Sequence, residues 1–174
     1  PDTGLATPIG PTCVRGLAAL AIAPDGTIYA VTAGPTVTSS SRLYTLDAAT
    51  GSATLVGTSG LDFLAGLAFD PGGALYAVGR NQGSSVYAVY AVDTATGAAT
   101  HVVDVDQAVS ALAFSADGTA YVAYDPSGGG IDRLGTVDLD TGTIAELGAT
   151  GAASVGSLSF APDGTLYGAR GTGV

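Results

Sequence analysis

Residues 67–78 read LAFDPGGALYAV, and three close variants of the phrase stand elsewhere: LAIAPDGTIYAV at 20–31, LAFSADGTAYVA at 112–123 and LSFAPDGTLYGA at 158–169. In each, a short apolar triplet runs into a Gly-bearing turn, and an apolar run with a Tyr near its start follows. Two short β-favouring runs around such a turn make a hairpin. With Pro24, Pro71, Ala116 and Pro162 as equivalent turn positions, the phrases are 47, 45 and 46 residues apart. A second phrase keeps the same step: DAATG at 47–51, DTATG at 93–97 and DLDTG at 138–142 are 46 and 45 residues apart. Two markers sharing one period make the chain an internal repeat.

Within one period, four strand-length runs alternate with turn residues. In the second unit they are Leu67–Phe69, Leu75–Val78, Val86–Val92 and Ala99–Val103. The breaks between the first and second runs and between the third and fourth are tight, so neighbours pair antiparallel as a four-stranded meander. A sheet with one wet face would alternate apolar and polar, but these strands alternate large and small apolar residues, as in Leu67-Ala68-Phe69 and Leu112-Ala113-Phe114. Both faces are therefore buried, with another sheet on each side. A meander of 45–47 residues repeated in this way is the blade of a β-propeller.

The expected fold is all-β, a β-propeller segment of about four blades in a single domain over 1–174. Residues 1–10 read as the last strand of a preceding blade, 17–57, 63–103 and 109–148 as full blades, and 155–170 as the first two strands of a further one. Such an array leaves dry blade faces at both ends, so self-association, or the remaining blades of a parent chain, is expected to complete a ring.

The phrases LAFDPGGALYAV, LAFSADGTAYVA and LSFAPDGTLYGA resemble the blades of bacterial β-propeller repeat proteins, the assembly of divergent WD-like, NHL-type and YVTN-type repeats. LYTLDAATGSATLVGTSG at 43–60 is similar to the outer half of such blades. The Trp-Asp pair of eukaryotic WD repeats is missing, since the chain has no Trp. The resemblance implies the fold and leaves function open, because propellers include scaffolds, lectins, hydrolases and lyases.

Composition narrows the function classes. Only 11% of the 174 residues are charged, Lys is absent, and the net charge is −10. Nucleic acid is excluded as a partner, because tracking phosphates takes clustered Lys and Arg. No apolar run approaches the roughly 20 residues that span a bilayer. PDTGLATPIGPTC at 1–13 has neither the basic end nor the apolar stretch of a leader, so the chain reads as mature or as an excerpt. Fourteen of the fifteen acids are Asp, many beside Gly or Thr in turn phrases, where Asp bonds its own backbone. The lone Cys13 makes no internal disulfide and fixes no compartment, although an extracellular or periplasmic one is favoured.

The two hairpin turns of each blade fall on one side of the disc and the other connections on the opposite side, where propellers usually bind ligands. All five Arg lie in or beside the latter: Arg15, Arg42, Arg80, Arg133 and Arg170. They are the candidate ligand-binding residues, for an anionic ligand or glycan. Asp62, Asp104, Asp106, Asp125 and Asp132 share those loops as possible Arg partners. Asp104 and Asp106 also offer alternating carboxylates to a calcium ion, as do Asp138 and Asp140, but without the glycine offset of a calcium loop. Lactonase-type propellers hold calcium or zinc among convergent Glu, Asn and Asp, and the single Glu146 and single Asn81 do not suggest convergence. The single His101 lies on an outer strand, and the loop serines lack a base and the G-x-S-x-G elbow. The sequence thus reads as a non-catalytic binding or structural module without a cofactor. The alternative is part of a propeller hydrolase or lyase whose catalytic residues lie in other blades.

Overall fold

The computed structural model describes residues 7–33, 40–81 and 84–171, and these form fourteen β-strands with no helix among the described residues. Strands β1 (Leu17–Ile22), β2 (Ile28–Thr32), β3 (Arg42–Leu46) and β4 (Ala53–Thr58) pair in chain order as one antiparallel sheet. The order recurs in β5 (Phe63–Phe69), β6 (Leu75–Arg80), β7 (Tyr87–Val92) and β8 (Ala99–Val105). It recurs again in β9 (Ala108–Phe114), β10 (Ala120–Asp125), β11 (Arg133–Val137) and β12 (Ile144–Ala149). A two-stranded sheet, β13 (Val155–Phe160) with β14 (Leu166–Arg170), follows. Three blades and half of a fourth are therefore present, with the first strands β1, β5, β9 and β13 neighbouring one another around the axis.

Turn chemistry explains why the sheets repeat. Gly26, Gly73, Gly118 and Gly164 take φ of 88°, 85°, 87° and 83°, the left-handed region that only glycine enters without strain. In the first of these turns the Thr27 N–H donates to Asp25 Oδ1 at 2.9 Å. The turns between third and fourth strands carry the other Asp set. Asp47 Oδ1 accepts from the Ala49 and Thr50 N–H groups at 2.9 and 2.7 Å, and Asp93 and Asp138 repeat the arrangement. The acidic excess is to this extent turn chemistry.

The core lies between blades. Leu67, Leu75 and Ala77 of the second blade meet Ala21, Val31 and Leu43 of the first, all buried. On its other face Ala68 and Val78 meet Val109, Leu112 and Val122 of the third. Each blade thus offers its large Leu-x-Phe face backward and its small Ala and Tyr face forward. The hydrophobic term is about 1.5–3 kcal/mol for each fully buried Leu or Val. An aromatic pair marks every junction: Tyr29 with Phe69 at 5.6 Å, Tyr76 with Phe114 at 5.2 Å and Tyr121 with Phe160 at 5.2 Å between ring centroids.

Two details differ from the sequence reading. β5 begins at Phe63 rather than Leu67, because a bulge between Leu64 and Gly66 lets the ladder continue to the Phe63–Arg80 pair. Bulges recur in the first hairpin of every blade, adding local twist. The strand expected within 1–10 is not formed at residues 7–10, and residues 1–6 lie outside the described set. Gly10 nevertheless holds that strand's place. A Cβ on Gly10 would stand 2.0 Å from the Thr50 carbonyl oxygen, as one on Gly57 would stand 1.9 Å from that of Thr96. Between the second and third blades the roles reverse, and a Cβ on Gly142 would stand 1.9 Å from the Asp104 carbonyl oxygen. The segment at Gly10 and the outer strands of the first and second blades therefore lean on the third-to-fourth turn of the blade that follows.

Candidate functional site

Among the described residues, two of the concavities draw on three or more blades. The larger runs along the axis, a groove of about 650 Å³ walled by β1, β5, β9 and β13. First strands expose residues there because no strand lies inside them. Among the residues lining it, Ser157 and Ser159 carry the only polar side chains and none is titratable. The wall can bury C–H surface and exclude water, and by itself can neither donate charge nor relay a proton.

The smaller hollow, about 270 Å³, opens on the loop side between the second and third blades and the half-blade, lined by Phe63, Tyr87, Ser110, Asp125, Gly129 and Asp132 among others. Asp132 is only 3% exposed, and its Oδ2 accepts the Val155 N–H at 2.6 Å, tying the third blade to the start of the next. Ser110 Oγ donates to the Val155 carbonyl at 2.7 Å from the other side. Asp125 accepts from the Ser127 N–H at 2.8 Å and from the Gly129 N–H, and the Ser127 bond leads in holding its carboxyl below the usual range. Both carboxylates thus serve the backbone.

The five Arg stand at different positions around the blades. Arg80, at the end of β6, holds its guanidinium 5.6 Å from the Phe63 ring centroid and 5.7 Å from that of Tyr87. Arg133 pairs with Glu146 at 2.5 Å across the β11–β12 ladder, and Glu146 also accepts from the Tyr124 hydroxyl at 3.2 Å. Burial first, then that bond, pushes the Tyr124 hydroxyl up. Arg42 opens β3, where its backbone N–H donates to Thr32 Oγ1, and Arg15 and Arg170 are exposed. Among the described residues no Asp forms an ion pair with an Arg, so the pairing expected for Asp62, Asp104, Asp106, Asp125 and Asp132 is not made there. Phe63 and Tyr87 were not legible as Arg80 partners, since the β5 bulge sets the register that places Phe63 opposite Arg80.

Asp104 is engaged elsewhere, its Oδ1 2.7 Å from His101 Nε2, while the His101 ring meets Tyr90 edge-on. Among the described residues no three His, Cys, Asp or Glu side chains group as metal ligands. Glu146, bound to Arg133 and Tyr124, does not line the groove, nor does Asn81. The described residues do not fit the metal of lactonase-type propellers.

No family model matches the chain, and neither does any curated protein. Solved structures do match. The chain is similar to TolB from Acinetobacter baumannii, with TM-score 0.58 and 22% identity over 87% of this chain and 37% of that one. A gluconolactonase from Xanthomonas campestris matches with TM-score 0.59 and 19% identity over 87% of this chain and 53% of that one. An aldose sugar dehydrogenase from Streptomyces coelicolor, in its PQQ-bound form, matches with TM-score 0.59 and 19% identity over 91% of this chain and 57% of that one. These likenesses establish the fold. Two of the three proteins are enzymes, which corrects the expectation of a non-catalytic module and the exclusion of an enzyme. That expectation rested on missing constellations, yet this chain spans only 37–57% of those relatives, and a propeller assembles its site from loops of many blades. The chain is a partial β-propeller.

Proposed function

We propose that this chain forms part of a β-propeller hydrolase acting on a small sugar lactone, with its catalytic groups outside the described residues. The carrying observation is the axial groove of about 650 Å³, walled by all four first strands. That volume lies within the roughly 300–1,000 Å³ of small-molecule sites. The likeness to a gluconolactonase supplies the substrate class. The blades read as divergent bacterial repeats of the WD-like, NHL or YVTN type, on the recurring Leu-x-Phe, Asp-Gly and Tyr phrase.

In the reaction, a water oxygen bonds to the lactone carbonyl carbon, the ring C–O bond breaks, and the released alkoxide takes a proton to give the hydroxy acid. This chain's share is the wall: Leu17, Ala18 and Leu20 cover apolar faces of the substrate, and Ser157 and Ser159 offer hydroxyls. The test is acid release from glucono-1,5-lactone by the full-length protein in a pH-stat, with and without added divalent cations. Saturable turnover well above the spontaneous rate supports the reading, and a rate equal to buffer under both conditions overturns it.

A further inference from the structure

The residue before the third strand is held the same way in the first and third blades, but its charge differs. In the first blade the Ser41 N–H donates to the Leu61 carbonyl, and the Ser41 carbonyl accepts the Ser59 N–H. In the third, Asp132 donates to the Ala152 carbonyl and accepts the Thr150 N–H in the same pattern. Both side chains are buried, and each bonds the segment leading into the next blade: Ser41 Oγ donates to the Asp62 carbonyl at 3.2 Å, and Asp132 Oδ2 accepts the Val155 N–H at 2.6 Å. A neutral hydroxyl thus suffices for the structural task, and the fold has no need of a carboxylate there. A buried charge is costly unless it is paired. Asp132 is 3% exposed, yet among the described residues no Arg pairs with it and nothing donates to its Oδ1. Among those residues no side-chain oxygen is both sealed and unbonded, so Oδ1 opens on the loop-side hollow that Asp132 lines.

We propose that this hollow, of about 270 Å³, binds the primary ammonium group of a small amine on Asp132. Asp125 lines it as a second carboxylate, Phe63 and Tyr87 line it as rings, and among the described residues no basic side chain does. The same two rings already hold the Arg80 guanidinium 5.6 and 5.7 Å from their centroids, so the pair attracts cations. Asp125 and Asp132 set against Arg80 leave one negative charge, which a single ammonium neutralises. A guanidinium prefers both oxygens of a carboxylate, and Oδ2 is taken by the Val155 N–H, so the one open oxygen suits the point charge of an ammonium. A metal ion needs more ligands than the two Asp, and among the described residues no third acid, His or Cys joins them. Ala65 and Val109 in the wall cover the alkyl stem. The hollow shares no lining residue with the axial groove, and the inference does not rest on the lactone reading.

The experiment is a ligand-observed NMR titration of the full-length protein with n-butylamine hydrochloride at neutral pH, beside n-butanol and sodium butyrate. The amine should bind saturably, and the alcohol and the acid about tenfold more weakly or not at all. Asp132→Asn keeps an oxygen for the Val155 N–H and removes the charge, so it should raise the Kd of the amine about tenfold. Tyr87→Leu, which leaves the Val155 bond alone, should raise it a few fold and carries the test if Asp132→Asn does not fold, as circular dichroism will show. Asp163→Asn removes the same charge from the first turn of the half-blade and should keep the parent Kd. Nα-acetyl-lysine amide separates the sources of the ammonium: affinity equal to that of n-butylamine points to a lysine side chain, and affinity for n-butylamine alone to a free amine. The proposal is overturned if the amine does not bind saturably, if the alcohol binds as well, if folded Asp132→Asn or Tyr87→Leu binds like the parent, or if Asp163→Asn loses as much as Asp132→Asn.

Discussion

Replacing Gly57 with Ala tests how the blades lean on one another. Gly57 lies in β4, and its φ is outside the left-handed region, so the added methyl group meets no conformational objection. The obstacle is steric. An ideal Cβ there lies 1.9 Å from the Thr96 carbonyl oxygen of the next blade, against the 3.4 Å at which ordinary contact begins. The third-to-fourth turn of the second blade must retreat or β4 must bend, and overpacking of this kind costs about 1–3 kcal/mol. With a urea m-value of about 2 kcal/mol/M, a loss of about 2 kcal/mol lowers the midpoint by about 1 M. Far-UV circular dichroism through a urea titration reads it. Gly156→Ala is the control, since nothing lies within 4 Å of its Cβ position and its φ is also unexceptional, and it is expected to change stability by less than about 0.5 kcal/mol. Equal midpoints for the two variants would refute the leaning contact and the equivalence of Gly10 and Gly57 built on it.

Other consequences concern the junctions and turns. A double-mutant cycle on Tyr76→Leu and Phe114→Leu should return a coupling of about 0.5–1.5 kcal/mol from chemical denaturation, and additivity would remove the ring pair from the interface account. Asp132→Ala orphans the Val155 N–H and should cost about 1–3 kcal/mol in a thermal or urea melt, and an unchanged melt would contradict the role of Asp132 in tying the third blade to the half-blade. N–H groups hold the Asp47, Asp93 and Asp138 carboxyls below the ordinary 3.8, those of Thr50, Ala95 and Thr141 being the leading contributors. With the folded value depressed, the unfolded chain takes up protons first on acidification, so the contribution is complete above the ordinary value and fades as pH falls through the folded one. The urea midpoint should hold to about pH 5 and drop below about pH 4, and combining Asp47→Asn, Asp93→Asn and Asp138→Asn should flatten the drop.

The blades were legible because their signals are local and repeated. Gly26 and Gly51 sit within a few residues of the Asp that caps each turn, and the Leu-x-Phe triplet shows within a few residues which faces are buried. The site was not legible, for reasons visible at particular residues. Arg133 and Glu146 stand 13 residues apart and meet only because a bulge between Leu134 and Gly135 shifts the β11–β12 register. Phe63 reaches Arg80 through another such bulge, and Asp132 finds its partner, the Val155 N–H, across a blade junction. A ladder offset by one residue turns every later side chain to the other face, so patterning cannot foretell side-chain partners where bulges recur. The functional expectation failed differently: missing catalytic residues carry little weight when a chain spans about half of the propellers it resembles.

The most direct test of the account is the hydrolysis of glucono-1,5-lactone by the full-length protein carrying Ser157→Trp, beside Thr54→Trp as a control. Ser157 lines the axial groove, whereas Thr54 is exposed on β4, away from it. An indole in the groove displaces a bound lactone from its reacting position, so kcat/KM should fall by about tenfold or more, while Thr54→Trp keeps the parent value. A Ser157→Trp protein as active as the Thr54→Trp control would contradict the assignment of substrate to the groove walled by β1, β5, β9 and β13.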